Sequence, residues 1–142
     1  MATDAQIEQE IQDKGLIAPR VTPADIEAAI SSEHYFTAEE GIQGALAKTR
    51  PDLGVESPTL ALLTFCVLTL KNGFTVTGES ACASPENFDA EVGRKIARQN
   101  AVAKIWPLLG YELRTQLAKP VLTDGDAAAD LAGTPRPDNP TV

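Results

Sequence analysis

The spacing of apolar positions along this chain changes period, and the changes divide it into elements. Near the start, Ile7 and Ile11 stand four apart behind Thr3 and Gln6, a hydroxyl followed three residues later by an amide. This pattern predicts a short capped helix from Thr3 to Lys14, closed at Gly15. Thr22-Pro23-Ala24-Asp25 opens a second helix, with a hydroxyl N-cap and Pro at the first helical position, and Ile26 with Ile30 forms its apolar stripe. Thr37-Ala38-Glu39-Glu40 starts a third helix toward Lys48, weakened by Gly41 and Gly44. Arg50 to Gly54 then breaks the chain, so that 38–57 reads as an insertion.

From Leu60 the pattern becomes that of strands. Asn72-Gly73 lies between β-rich runs and predicts a hairpin with a two-residue turn, because both turn positions need positive φ. That turn pairs Lys71 with Phe74, Thr69 with Val76 and Val67 with Gly78. One face then carries Phe65, Val67, Phe74 and Val76, and the other Cys66, Leu68 and Leu70. The first strand is apolar on both faces, and Gly78 marks a bulge or a close approach.

Ser84-Pro85-Glu86 predicts the start of a long amphipathic helix with Phe88, Val92, Ile96, Val102 and Trp106 on its buried side. Pro107 ends or kinks it, and Leu108 to Leu117 continues as a shorter helix. The chain beyond 118 is rich in Asp, Ala, Pro and Gly without apolar period, which predicts a disordered acidic tail over 119–142. The resulting fold class is α+β: a small antiparallel sheet built on the Asn-Gly hairpin, packed with a long C-terminal helix and short N-terminal helices. Residues 1–118 form its single domain.

Charge and composition narrow the function classes. The 142 residues carry 12 basic and 20 acidic side chains, a net charge of -8, which opposes bulk attraction to nucleic acid or an anionic membrane. Phosphate recognition must then be local. Two cysteines, Cys66 and Cys82, make no disulfide scaffold and, with the single histidine His34, no zinc site of ordinary spacing. No apolar run reaches a membrane-spanning length and no leader pattern opens the chain, so the expectation is a reducing cytoplasm. His34, with Tyr35 and Phe36, reads as a link between two helices. No nucleophile, acid and base assemble around it, so no enzyme and no cofactor are expected.

Helical geometry singles out one edge of the long helix. Positions seven and eleven residues beyond Asn87 share its direction within roughly 20°, and those positions are Arg94 and Arg98. Two guanidiniums one turn apart can grip phosphates bidentately. The alternative is a solvated face, with Glu91 pairing Arg94 or Lys95. Phe74, beside the hairpin turn, could stack on a base.

The string KNGFTVTGESACASPENFDAEVGRKIARQNAVAKIWPLLGY, with QDKGLIAPRVTPADIEAAISSEHYF before it, resembles a family of small tailed-phage and prophage proteins. The hairpin-to-helix block is also similar to the phage Thoeris anti-defence one proteins, oligomeric sponges that sequester cyclic ADP-ribose isomers and, in some cases, cyclic oligonucleotides. That resemblance implies a noncatalytic homo-oligomer in the cytoplasm of the bacterial host, binding a cyclic nucleotide. Arg94 and Arg98 would engage its phosphates, with Phe74 and Asn87 at base or ribose. A different class of function, a small phage module that inhibits a host protein through its acidic surface and hairpin edge, fits the same composition.

Overall fold

The computed structural model describes residues 2–119 and 123–136. Its elements in order are α1 (Asp4–Asp13), α2 (Pro23–Ala29), β1 (Ile30–Thr37), α3 (Ala38–Thr49), β2 (Leu63–Leu70), β3 (Thr75–Ala81), α4 (Ala90–Ala118) and α5 (Asp124–Ala132), with single 3-10 turns at Leu60–Leu62 and Pro85–Asn87. The fold is α+β, an antiparallel sheet in the order β1-β2-β3 with α4 laid across one face.

Threonine hydroxyls start four of these helices. Thr3, Thr22, Thr37 and Thr123 each accept the N3 backbone N–H while the N3 side chain returns to the threonine N–H, satisfying donors that the first turn leaves open. The first three follow the sequence pattern. The fourth overturns part of the expected disorder over 119–142, since Thr123 and Asp126 nucleate α5, and Gly133 ends it with φ 69°. Residues 120–122 and 137–142 of that expected tail lie outside the described residues.

The hairpin turn holds three residues rather than two. Gly73 N–H donates to Leu70 O at 2.9 Å, Gly73 has φ 90°, and Leu70 N–H donates to Phe74 O at 2.7 Å. This is a three-residue hairpin loop closed by a glycine of positive φ. The extra residue slips the register by one, so that Leu68 faces Val76, Val67 faces Thr77 and Cys66 faces Gly78. A one-residue slip exchanges faces. Val76 therefore joins Cys66, Leu68 and Leu70 beneath α4, instead of Phe65 and Val67 on the outer side.

His34, Tyr35 and Phe36 are part of a strand, not a link between helices. β1 pairs with β2 from Thr37 opposite Thr64 to Ile30 opposite Leu70, interrupted at Ser31, whose hydroxyl donates to Thr69 O at 3.0 Å. Its alternation is weak in sequence because Glu33 and Tyr35 occupy the helix-facing side.

The core is small and built on a close approach. Ile26, Cys66, Leu68, Leu70, Val76, Ala97, Ala101 and Ile105 form it. On α4 the buried positions are Gly93, Ala97, Ala101 and Ile105, four apart, whereas Val92 and Ile96 of the expected stripe are half-exposed. The reason lies in β3, where a Cβ on Gly78 would meet Ala97 O and the backbone N and Cα of Ala101. The helix rests its small residues directly on the strand's glycine. Close approach is thus the role of Gly78. On the outer face, α3 packs over Phe36, which stacks on Phe65 with ring centroids 5.4 Å apart. Gly41 permits this, since a Cβ there would stand 3.0 Å from the Phe36 ring.

Two further boundaries differ from expectation. Ser84 starts only a 3-10 turn, and Asp89 caps α4 by accepting the Val92 N–H at 3.0 Å. α4 then runs 29 residues with Pro107 inside it, a length of about 43 Å, against about 26 Å for an eight-residue strand. Its C-terminal turns therefore overhang the sheet, leaving Tyr111 and Leu117 exposed.

Candidate nucleotide-binding site

The guanidinium of Arg98 is the best-connected charged group on α4. Its Nη1 and Nη2 donate to the two carboxylate oxygens of Glu27 on α2 at 3.1 and 2.8 Å, and its Nε donates to Glu33 Oε1 on β1 at 2.9 Å. Tyr35 O–H donates to the other Glu33 oxygen at 3.0 Å. Arg98 thus ties α4, α2 and β1 at one point. The hydrogen bond from Arg98 holds the Glu33 carboxyl below the usual carboxylate range, and burial, then Glu33, pushes the Tyr35 phenol up. Sequence spacing singles out Arg98 but not its partners, which lie 71 and 65 residues away.

The other expected site residues separate. Arg94, one turn before Arg98, is exposed and forms no ion pair among the described residues. Glu91 instead pairs Lys95 at 3.2 Å. Asn87 lies on the 3-10 turn ahead of α4, so the helical alignment of Asn87 with the two arginines does not hold. Phe74 is exposed at the end of the sheet, across from Leu70. Asn100, on the opposite edge of α4, donates to Glu79 O at 2.7 Å and anchors that side to β3.

An open groove of about 540 Å³ between α1, α2 and α4 is bordered by Arg98, Gln99, Glu27 and Trp106. A second, more apolar groove of about 260 Å³ lies between α1 and α4, where Ile7, Ile11 and Val21 again meet Trp106. Trp106 and Asp4 border both, and Trp106 is their shared aromatic wall. The larger volume is in the range that small-molecule sites occupy. Sequence reading assigned Trp106 to the buried stripe, and its eight-residue separation from Arg98 on one helix was the signal that could have joined them.

α1 closes these grooves without burying any residue of its own. A bidentate pair holds it, with Arg20 donating to both carboxylate oxygens of Glu8, one at 2.6 Å. The Arg20 hydrogen bond, then that of Gln12, lowers the Glu8 carboxyl to about 2 from 4.5. A depressed carboxylate contributes stability above its unfolded value and loses it as pH falls through the folded one. Arg20→Gln should therefore loosen α1 at pH 7 and shift Trp106 emission to the red. The difference from the parent protein should fade between pH 4.5 and about 2. An emission difference unchanged across that window would exclude the pair as the latch.

Among the described residues no His, Cys, Asp and Glu group is placed to hold a metal ion, and no helix is long and apolar enough to cross a membrane. Cys66 is buried and Cys82 half-buried, both as free thiols.

A model of the phage protein (N4 Gp49/phage Sf6 gene 66) family matches residues 21–117. The chain belongs to this family. The family match takes in the whole sheet, Arg94, Arg98, Trp106, Phe74 and Asn87, and also runs through 38–57. α1, which walls the grooves, precedes it, and α5 follows it. Searches of curated proteins and of solved structures found no match.

Proposed function

We propose that this phage-family protein is a noncatalytic sponge, sequestering a cyclic nucleotide immune signal of the bacterial host. Cyclic ADP-ribose isomers are the first candidates and cyclic oligonucleotides the second. The observation that carries this reading is the pair of arginines one turn apart on α4, Arg94 exposed and Arg98 bordering an open groove with an aromatic wall. Two forked cations in line suit a diphosphate or two phosphodiesters, because each planar guanidinium can meet two oxygens of one phosphate. The resemblance to the anti-defence sponges supports the same reading, as does membership of a phage family.

The test is binding followed by recovery. Purified protein incubated with cyclic ADP-ribose isomers and cyclic dinucleotides should retain one of them on gel filtration and release it chemically intact on heating. Arg94→Ala should weaken that retention, by roughly 10- to 100-fold in affinity. Recovery of a hydrolysed product would convert the reading to an enzyme, and retention of no signal across the panel would overturn it. Light scattering on the same sample tests the homo-oligomer that the resemblance to the sponges implies.

A second reading rests on the outer face of the sheet. Phe36, His34 and Val67 lie there and α3 covers only part of it, which suits contact with a host protein. A stoichiometric host partner captured equally by the parent protein and Arg94→Ala, and lost with Val67→Glu, would favour it.

A further inference from the structure

Glu27 occupies Arg98 as a phosphate would. Its two oxygens meet Nη1 and Nη2 side by side at 3.1 and 2.8 Å, the end-on fork that guanidinium offers to carboxylate and phosphate alike. The Glu27 side chain is 60 % exposed and sits on a seven-residue helix, so it can swing into solvent without disturbing the core. Glu33 is different. Its Oε1 takes Nε at 2.9 Å and lies 2.8 Å from Nη2, from the side; it is itself held by Tyr35, and it keeps the guanidinium aimed at the groove when the end-on position changes hands.

Eight residues along α4 from Arg98, about 12 Å of helix axis, Trp106 forms the wall of the same groove. With its volume of about 540 Å³, the groove along this stretch has room for a ligand with two sugars or a pyrophosphate. Gln99 offers an amide, with both donor and acceptor, to a base edge or ribose. Phe74 does not border this groove. Arg94 continues the line one turn beyond Arg98, away from Trp106.

We infer that the groove takes a dinucleotide-sized ligand with a base stacked on Trp106 and a phosphate on Arg98 in the place of Glu27. The inference rests on the proposed nucleotide-binding role and specifies its site. Glu27 is then a built-in competitor: it keeps Arg98 satisfied in the empty protein and rejects weak anions, because a ligand must outbid a preformed bidentate pair. Asp4 also borders the groove and adds to the selection against simple anions. Base stacking on Trp106 supplies what the phosphate alone lacks.

Trp106 is the only tryptophan in the sequence, so its fluorescence reports the groove directly. The parent protein is titrated with cyclic ADP-ribose, a cyclic dinucleotide, linear ADP-ribose and inorganic phosphate, and affinities are measured by calorimetry. Binding nucleotides should quench Trp106, and phosphate alone should not. Trp106→Leu should weaken binding roughly tenfold or more, with Trp106→Phe recovering part of the loss. Glu27→Gln should tighten binding by about threefold or more. Trp106→Phe also guards against a folding defect, since it retains an aromatic ring at the wall. Unchanged affinity in both Trp106→Leu and Glu27→Gln would overturn the inference while leaving sequestration standing. Linear ADP-ribose bound with these signatures, and no cyclic ligand bound, would uphold the site and overturn sequestration of cyclic signals. Absence of quenching by every nucleotide in both the parent and Glu27→Gln would overturn the inference.

Discussion

Replacing Gly78 by alanine is expected to cost the fold roughly 3 kcal/mol or more, at or beyond the upper end for overpacking. The added methyl would fall on Ala97 O, on Ala101 N and 2.9 Å from Ala101 Cα. These are backbone atoms of a packed helix, so no side chain can rotate aside. Either α4 lifts from β3, losing the contacts of Ala97, Ala101 and Ile105, or the strand leaves its register. Gly44→Ala provides the control. Gly44 lies within α3, where an added Cβ meets nothing within 4 Å, so the same methyl should stabilise by roughly 0.5–1 kcal/mol through helix propensity. Urea unfolding of the two variants should move the midpoint in opposite directions. A Gly78→Ala midpoint equal to the parent's would mean that α4 does not rest on β3 as described.

What the sequence made legible follows the range of each interaction. Thr3, Thr22 and Thr37 are capped by groups three residues away, and these helix starts can be read from the chain. Thr123 carries the same signal, but the Ala- and Asp-rich composition around it argued for disorder and masked it. Ser84-Pro85 imitates a helix start, yet Asp89 supplies the cap that α4 uses. The hairpin was readable at its turn and misread in its register, because Lys71-Asn72-Gly73 accommodates a three-residue loop as readily as Asn72-Gly73 a two-residue one. That single residue moved Val76 to the other face. The buried side of α4 is legible only in part: Val102 and Trp106 of the expected stripe pack against the core, but Val92 and Ile96 do not, because Gly78 on β3 selects Ala97 and Ala101 for the closest contact. In the candidate site, the one-turn spacing of Arg94 and Arg98 was legible from helical periodicity. The capture of Arg98 by Glu27 and Glu33 was not, since nothing local links residues so far apart in the chain.

Arg94 and Arg98 are expected to separate when stability and ligand binding are measured together. Arg98→Ala removes the guanidinium from between Glu27 and Glu33, leaving two carboxylates close to one another with no cation, and frees the Tyr35–Glu33 contact from its anchor. Hydrogen bonds to charged groups contribute about 1.5–3 kcal/mol each, but exposure of Glu27 screens its share, so a net loss of about 1–3 kcal/mol is expected. Arg94→Ala removes an exposed cation with no described partner and should leave stability within about 0.5 kcal/mol of the parent. If both arginines grip phosphate, each variant should lose roughly 10- to 100-fold in affinity for a retained nucleotide, the equivalent of one charge-assisted contact. Arg94→Ala is therefore the cleaner probe of binding, because its affinity loss cannot be traced to a loosened fold. Loss of affinity in Arg98→Ala alone, in step with its lost stability, would assign Arg98 to the joint between α2, β1 and α4 and leave no phosphate for Arg94 to hold. Glu27→Gln completes the comparison: it weakens the same joint while baring Arg98, so stability and affinity should move in opposite directions in that one variant.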